Sequence, residues 1–180
     1  MKKITKTALK KQLQKHSQGE LVDLIMRLNS AVPEASDFIN NELSGEEYAL
    51  ELLSKARKKI RNEFFPDRGL GRLSLSTAKA AIRDFRRVCR NPMHYIDLQL
   101  YYIECGVEFT NTYGDIDEPF YNSMERMYRD VINALNTLSD DSMTQMFYDR
   151  LKAIVEDTSD IGWGFHDGLR DTFSELAYRS

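Results

Sequence analysis

Cysteine is nearly absent from this chain of 180 residues, and the two present, Cys89 and Cys105, form neither a metal-ligand spacing nor a C-x-x-C redox pair. On consecutive antiparallel helices that turn near Asn91-Pro92, Cys105 stands several helical turns farther from the turn than Cys89. At about 1.5 Å of rise per residue that separation excludes a disulfide, so both read as reduced. Four prolines and nine glycines are too few for a disordered or fibrous chain. Histidine is limited to His16, His94 and His166, and no Glu-x-x-His pair of the di-iron bundle type occurs. No segment approaches the roughly 20 apolar residues of a membrane span. The basic start, Met1-Lys2-Lys3-Ile4-Thr5-Lys6, leads into no signal-peptide core, so the cytoplasm is the expected compartment. Also missing are G-x-S-x-G, Walker A, dinucleotide-binding and zinc-finger patterns. No catalytic set, metal site or cofactor is assigned.

What is present is helix signal from end to end, with few alternating runs of the β type. The expected fold class is all-α: stacked antiparallel helix hairpins, either an α-solenoid of the HEAT or armadillo kind or an irregular helical bundle. A single domain over 1–180 is expected, with a cap of short helices over 1–45 and a main stack over 46–180. In the cap, a short helix covers Thr7 to Lys15. Ser17-x-x-Glu20 is a capping box ahead of Leu21, Leu24, Ile25 and Leu28, and Pro33 opens a third helix to about Leu43. Ser44-x-x-Glu47 reads as a second box before a longer helix to Phe64, and Pro66 to Gly71 breaks the chain. Five further helices are expected near 75–89, 94–113, 118–138, 141–157 and 163–178. Starts near Ser74, Glu118 and Gly162 are 44 residues apart, within the repeat range of two- and three-helix solenoids, which tilts the expectation slightly toward a stack. The helix from His94 to Tyr113 is apolar on most sides and is expected at the centre.

Net charge is only −3, yet unevenly placed. Residues 55–90 hold 12 Lys/Arg against 3 Asp/Glu, whereas residues 91–180 hold 6 against 17. Lys79, Arg83, Arg86 and Arg90 make one stripe along a helix, next to Arg87. With Lys55, Arg57, Lys58, Lys59 and Arg61 on the preceding helix, they form a candidate patch for phosphates or an acidic partner, nucleic acid included. The central helix carries Asp97, Tyr101, Glu104 and Glu108 at matching intervals. An antiparallel hairpin sets Arg90 near Asp97, and Lys79 and Arg83 near Glu104 and Glu108, so internal pairing is the preferred reading.

Two acidic, glycine-bearing loops stand out. In Thr110 to Pro119, Asp117 suits a helix N-cap and Glu118-Pro119 a first turn; the EF-hand register is lacking. In Asp157 to Asp167, Gly162 and Gly164 flank the only tryptophan, and Trp163 with Phe165 is expected to plug the core while Asp160 or Ser159 caps the last helix. The alternative is a polar cleft in which Glu104, Glu108, Tyr113, Asp115, Asp117, Trp163, His166 and Asp167 gather.

The stretches Gly106 to Asn111, Tyr113-Gly114-Asp115-Ile116-Asp117-Glu118-Pro119-Phe120-Tyr121-Asn122-Ser123-Met124 and Ile161-Gly162-Trp163-Gly164-Phe165-His166-Asp167, with Glu63-Phe64-Phe65-Pro66, resemble the signature of an uncharacterised bacterial family, a domain of unknown function. The resemblance covers about residues 46–175 and implies no activity. The preferred expectation is a non-enzymatic helical module that binds an unknown protein or peptide. The alternatives are a nucleic-acid-associated protein using residues 55–90, and an enzyme or metal protein with an acidic site near Glu104, Glu108, Asp115, Asp117 and His166.

Overall fold

The computed structural model describes residues 4–69 and 71–177, and among them all regular structure is helical. The chain divides into two compact units between Tyr48 and Ala49.

The first unit holds α1 (Lys6–Leu13), α2 (Gln18–Ala31) and α3 (Pro33–Ser44). Thr5 caps α1 through the Ala8 N–H, and Ser17 and Glu20 form the expected capping box on α2. Pro33 occupies the first turn of α3, where its missing N–H does no harm. The second expected capping box is not formed. Ser44 belongs to the last turn of α3, which ends on Gly45 at φ +62°, a conformation that glycine adopts without steric penalty, and α4 (Glu46–Phe64) starts at once. Tyr48 donates to the Asp37 carboxylate at 2.8 Å. None of α1, α2 or α3 contains a buried residue.

The second unit holds the rest of α4 with α5 (Leu75–Val88), α6 (Pro92–Tyr113), α7 (Glu118–Leu138), α8 (Asp141–Glu156) and α9 (Phe165–Ser174). Asn91 and Pro92 start α6, and Gly114 at φ +90° ends it. Ser74, Asp117 and Asp140 each cap a helix by accepting a backbone N–H three residues on. In this unit α6 packs on α5, α7 and α8, while α9 packs on α7 and α8. The circuit α6, α7, α9, α8 closes on itself, so these helices form an irregular bundle rather than an open stack.

The core lies on α6 as its composition requires. Ten of its residues are buried, and Leu98, Leu100, Tyr102 and Ile103 show no exposed surface. At roughly 2 kcal/mol for each large apolar side chain removed from water, this helix anchors the fold. Its closest approach is at Gly106, where a Cβ would stand 2.5 Å from Met124 Sδ of α7. Tyr128 of α7 crosses the core to donate to the Leu151 carbonyl of α8 at 3.0 Å. Burial pushes the Tyr102 hydroxyl up to about 12, and it lies 3.0 Å from Ser123 Oγ. The Cys89 and Cys105 thiols are both buried.

Candidate functional site

The acidic row of α6 finds cationic partners, but not those its sequence neighbours suggest. Asp97 accepts from Arg57 of α4 at 2.6 Å and from Arg150 of α8 at 2.7 Å. Arg150 also makes a paired bond to Glu104, Nε to Oε1 at 2.7 Å and Nη2 to Oε2 at 2.9 Å. Glu108 is held in the same two-pronged way by Arg61, whose Nη2 donates to Oε1 at 2.8 Å. Such fork-to-carboxylate geometry gives the strongest ordinary ion pairs. Burial opposes the charge on Arg150, but bonding to Glu104 and Asp97 outweighs it and holds the guanidinium above its usual range. The hydrogen bond from Arg61 holds the Glu108 carboxyl below its usual range. Arg57 and Arg61 also lie over the rings of Tyr101 and Phe65.

The expected pairing of α6 with the α5 stripe is therefore replaced. Lys79 reaches Ser123 of α7 at 3.0 Å instead of Glu104 or Glu108. Arg86 stacks on Tyr95 at 4.4 Å and donates to its hydroxyl at 3.2 Å. Arg87 pairs with Asp84 of its own helix. Arg83 and Arg90 are exposed and have no acidic partner among the described residues. The reason is geometric: α4 and α8 flank the acidic face of α6, so their arginines arrive first. On α4, Lys55 pairs with Glu51, while Lys58 and Lys59 face solvent.

The two acidic loops do meet. Tyr121 joins them, with its hydroxyl donating to Asp115 at 3.0 Å and accepting from the Ile116 N–H at 3.3 Å. Its ring stands 4.9 Å from Phe165, and Asn111 donates to the Asp157 carbonyl at 2.9 Å. The polar groups nevertheless do not gather into a cleft. Asp117 caps α7, Asp167 pairs with Arg170, and His166 Nδ1 lies against the Val155 carbonyl and Thr158 at the end of α8. Glu104 and Glu108 are occupied by arginines. Among the described residues no group of three His, Cys, Asp or Glu side chains is arranged to hold a metal ion.

The expected aromatic plug is half right. Phe165 is fully buried, whereas Trp163 is 69 % exposed. Trp163 has φ +61° and is followed by Gly164 at φ +73°, so two successive left-handed residues turn the indole outward. Gly164, rather than Asp160 or Ser159, occupies the N-cap of α9, with no side-chain cap, and the helix starts two residues later than expected. It also ends earlier, at Ser174; the expected end at 178 lies outside the described residues. Tyr113 is exposed too and packs on Phe109 at 4.8 Å.

Between α5 and α7, over α6, the surface opens into a cleft of about 620 Å³ lined by Arg86, Arg90, Tyr95, Gln99, Asp130 and Asn133 among others. A smaller hollow of about 310 Å³ with Lys79, Ser123 and Arg126 shares Asp130 with it. The Lys79–Ser123–Tyr102 chain has the residue types of a Ser–Lys nucleophile. Ser123, however, lies within α7, where the helix consumes the backbone N–H groups that an oxyanion pocket needs. Gln99, Asp130 and Arg150 escaped sequence reasoning. The available signal for Gln99 was one neutral polar side chain inside the apolar run of α6.

These features define a helical-bundle protein in which arginines of α4 and α8 pair with the acids of α6, with a separate cation-edged cleft. The sequence matches the family model described as a family of unknown function, DUF6155, over residues 4–175, and the chain belongs to that family. The match includes α1 to α3, which the motif resemblance had left out. No curated protein and no solved structure matches the chain.

Proposed function

We propose that the protein is a non-enzymatic helical interaction module, working in the cytoplasm, whose N-terminal helices take a protein or peptide partner. The observation that carries this reading is α2. Val22, Leu24, Ile25, Met26 and Leu28 are each 39–58 % exposed, and the helix buries nothing. Apolar side chains in that number on one short helix form a patch of the kind that marks association sites. Leu9, Leu13 and Leu21 line an adjoining groove of about 320 Å³ between α1 and α2, suited to an apolar helix face. Trp163, turned outward on a strained backbone, is a second anchor of the residue type that dominates interface energetics.

The test is affinity capture with full-length protein beside a Val22→Glu/Ile25→Glu variant of matched melting temperature. A partner, or a second copy detected by light scattering, is expected on the wild type and reduced about tenfold on the variant. Identical profiles with a monomeric wild type overturn the reading.

Exposed Arg83, Arg86, Arg87 and Arg90 favour a second reading, association with nucleic acid. Binding to a labelled oligonucleotide that weakens steeply with salt, and less steeply after Arg83→Gln/Arg87→Gln, supports it; salt-insensitive retention contradicts it.

A further inference from the structure

We propose that the cleft between α5 and α7 is a binding site for a small organic phosphate, specifically a nucleoside monophosphate. The cleft has a volume of about 620 Å³, within the range of sites that enclose small molecules. Its rim, wall and floor present three different chemistries.

At the rim stand Arg86, in the last turn of α5, and Arg90, just beyond the end of that helix, and neither is neutralised by a carboxylate among the described residues. Arg86 is held in place by its stack on Tyr95 and its bond to the Tyr95 hydroxyl, with further N–H groups left over. Two guanidinium forks lining one cleft suit a phosphate, which carries more charge and more acceptor oxygens than a carboxylate.

The floor holds Gln99, which is 2 % exposed. Its carboxamide Oε1 is buried with no donor, and its Nε2 donates only to Met127 Sδ at 3.2 Å. A buried amide oxygen without a donor is costly, and a thioether is a weak acceptor, so nothing strong holds this group in its present orientation. Rotated toward the cleft, the amide offers a donor and an acceptor side by side. That is the pattern with which Gln reads the edge of a nucleobase.

On the wall, Asp130 has no cationic partner among the described residues within reach of an ion pair, and Asn133 and Thr137 follow it along α7. A carboxylate repels phosphate but accepts from ribose hydroxyls, as acidic residues do in dinucleotide folds. One cleft therefore holds cationic groups suited to a phosphate, an acid suited to a sugar and an amide suited to a base.

The experiment is calorimetric titration of the full chain with AMP, GMP, CMP and UMP, with the four nucleosides and inorganic phosphate as controls. At least one monophosphate is expected to bind with Kd below about 1 mM. Its nucleoside and inorganic phosphate are each expected to bind at least tenfold more weakly. Arg86→Gln/Arg90→Gln and, separately, Gln99→Leu are expected to weaken that binding at least tenfold. Neither variant removes an ion pair, and a cooperative melt confirms that they fold. The proposal is overturned if no monophosphate binds below that limit or if inorganic phosphate binds equally well. Unchanged affinity in either folded variant also overturns it. Tighter binding of a short oligonucleotide with the same arginine dependence reassigns the cleft to nucleic acid and overturns it as well. The N-terminal helices play no part in this test, so its outcome is independent of the interaction reading.

Discussion

Helices α2 and α6 both carry abundant apolar side chains, yet one leaves every residue at least partly exposed and the other buries ten. The difference teaches what hydrophobic periodicity specifies. It specifies a face that needs covering, and the cover is supplied elsewhere: for α6 by α5, α7 and α8, and for α2, in our reading, by another molecule. The polar side chains repeat the contrast. The acids of α6 are each clasped by arginines, whereas Arg83 of α5 and Arg90 just beyond it have no such partner among the described residues.

Mutations should break this comparison on one side only. Leu98→Ala in α6 is expected to cost about 3 kcal/mol in chemical denaturation, since the site is fully enclosed. Ile25→Ala in α2 should cost less than about 0.5 kcal/mol; a loss near that of Leu98→Ala would show that α2 is covered within the chain. Arg150→Leu leaves Glu104 without its partner and Asp97 with Arg57 alone, for a loss of about 2 kcal/mol given partial exposure. Arg83→Leu should be within about 0.5 kcal/mol of wild type by the same measurement.

Smaller effects sharpen the contrast. Trp163→Gly removes a side chain from a left-handed position, so the melting temperature should hold or rise, by up to about 1 kcal/mol in stability, while partner capture falls. A lower melting temperature would mean that the indole packs after all. The ion pairs also leave a mark on pH dependence. Because the folded Glu108 pKa lies below its ordinary 4.5, its pairing contributes stability above that value and loses it as pH falls through the folded pKa. Arg61→Gln should flatten that part of the acid limb, by under about 1 kcal/mol for so exposed a pair. An unchanged acid limb would remove the pair from the account.

Most of the secondary structure was legible because its signals are local. Ser17 with Glu20, Asp117 and Pro33 act within one turn, so their sequence context is their physical context. Ser44 misled because Gly45, with its left-handed φ, ends α3 beyond it, and a glycine's conformation is not written in the residues before it. Asp97, Glu104 and Glu108 were correctly read as needing cations. Naming the cations required knowing which helices flank α6, and Arg150 lies 46 residues from Glu104. The cleft was illegible for the same reason: Arg90, Gln99 and Asp130 become neighbours only when α5, α6 and α7 pack.

Hydrogen exchange on the protein alone and on its captured complex decides whether a partner covers α2. At least tenfold more protection is expected across residues 18–31 in the complex, with residues 92–113 unchanged because α6 is already enclosed. Equal exchange in α2 in both states would contradict it.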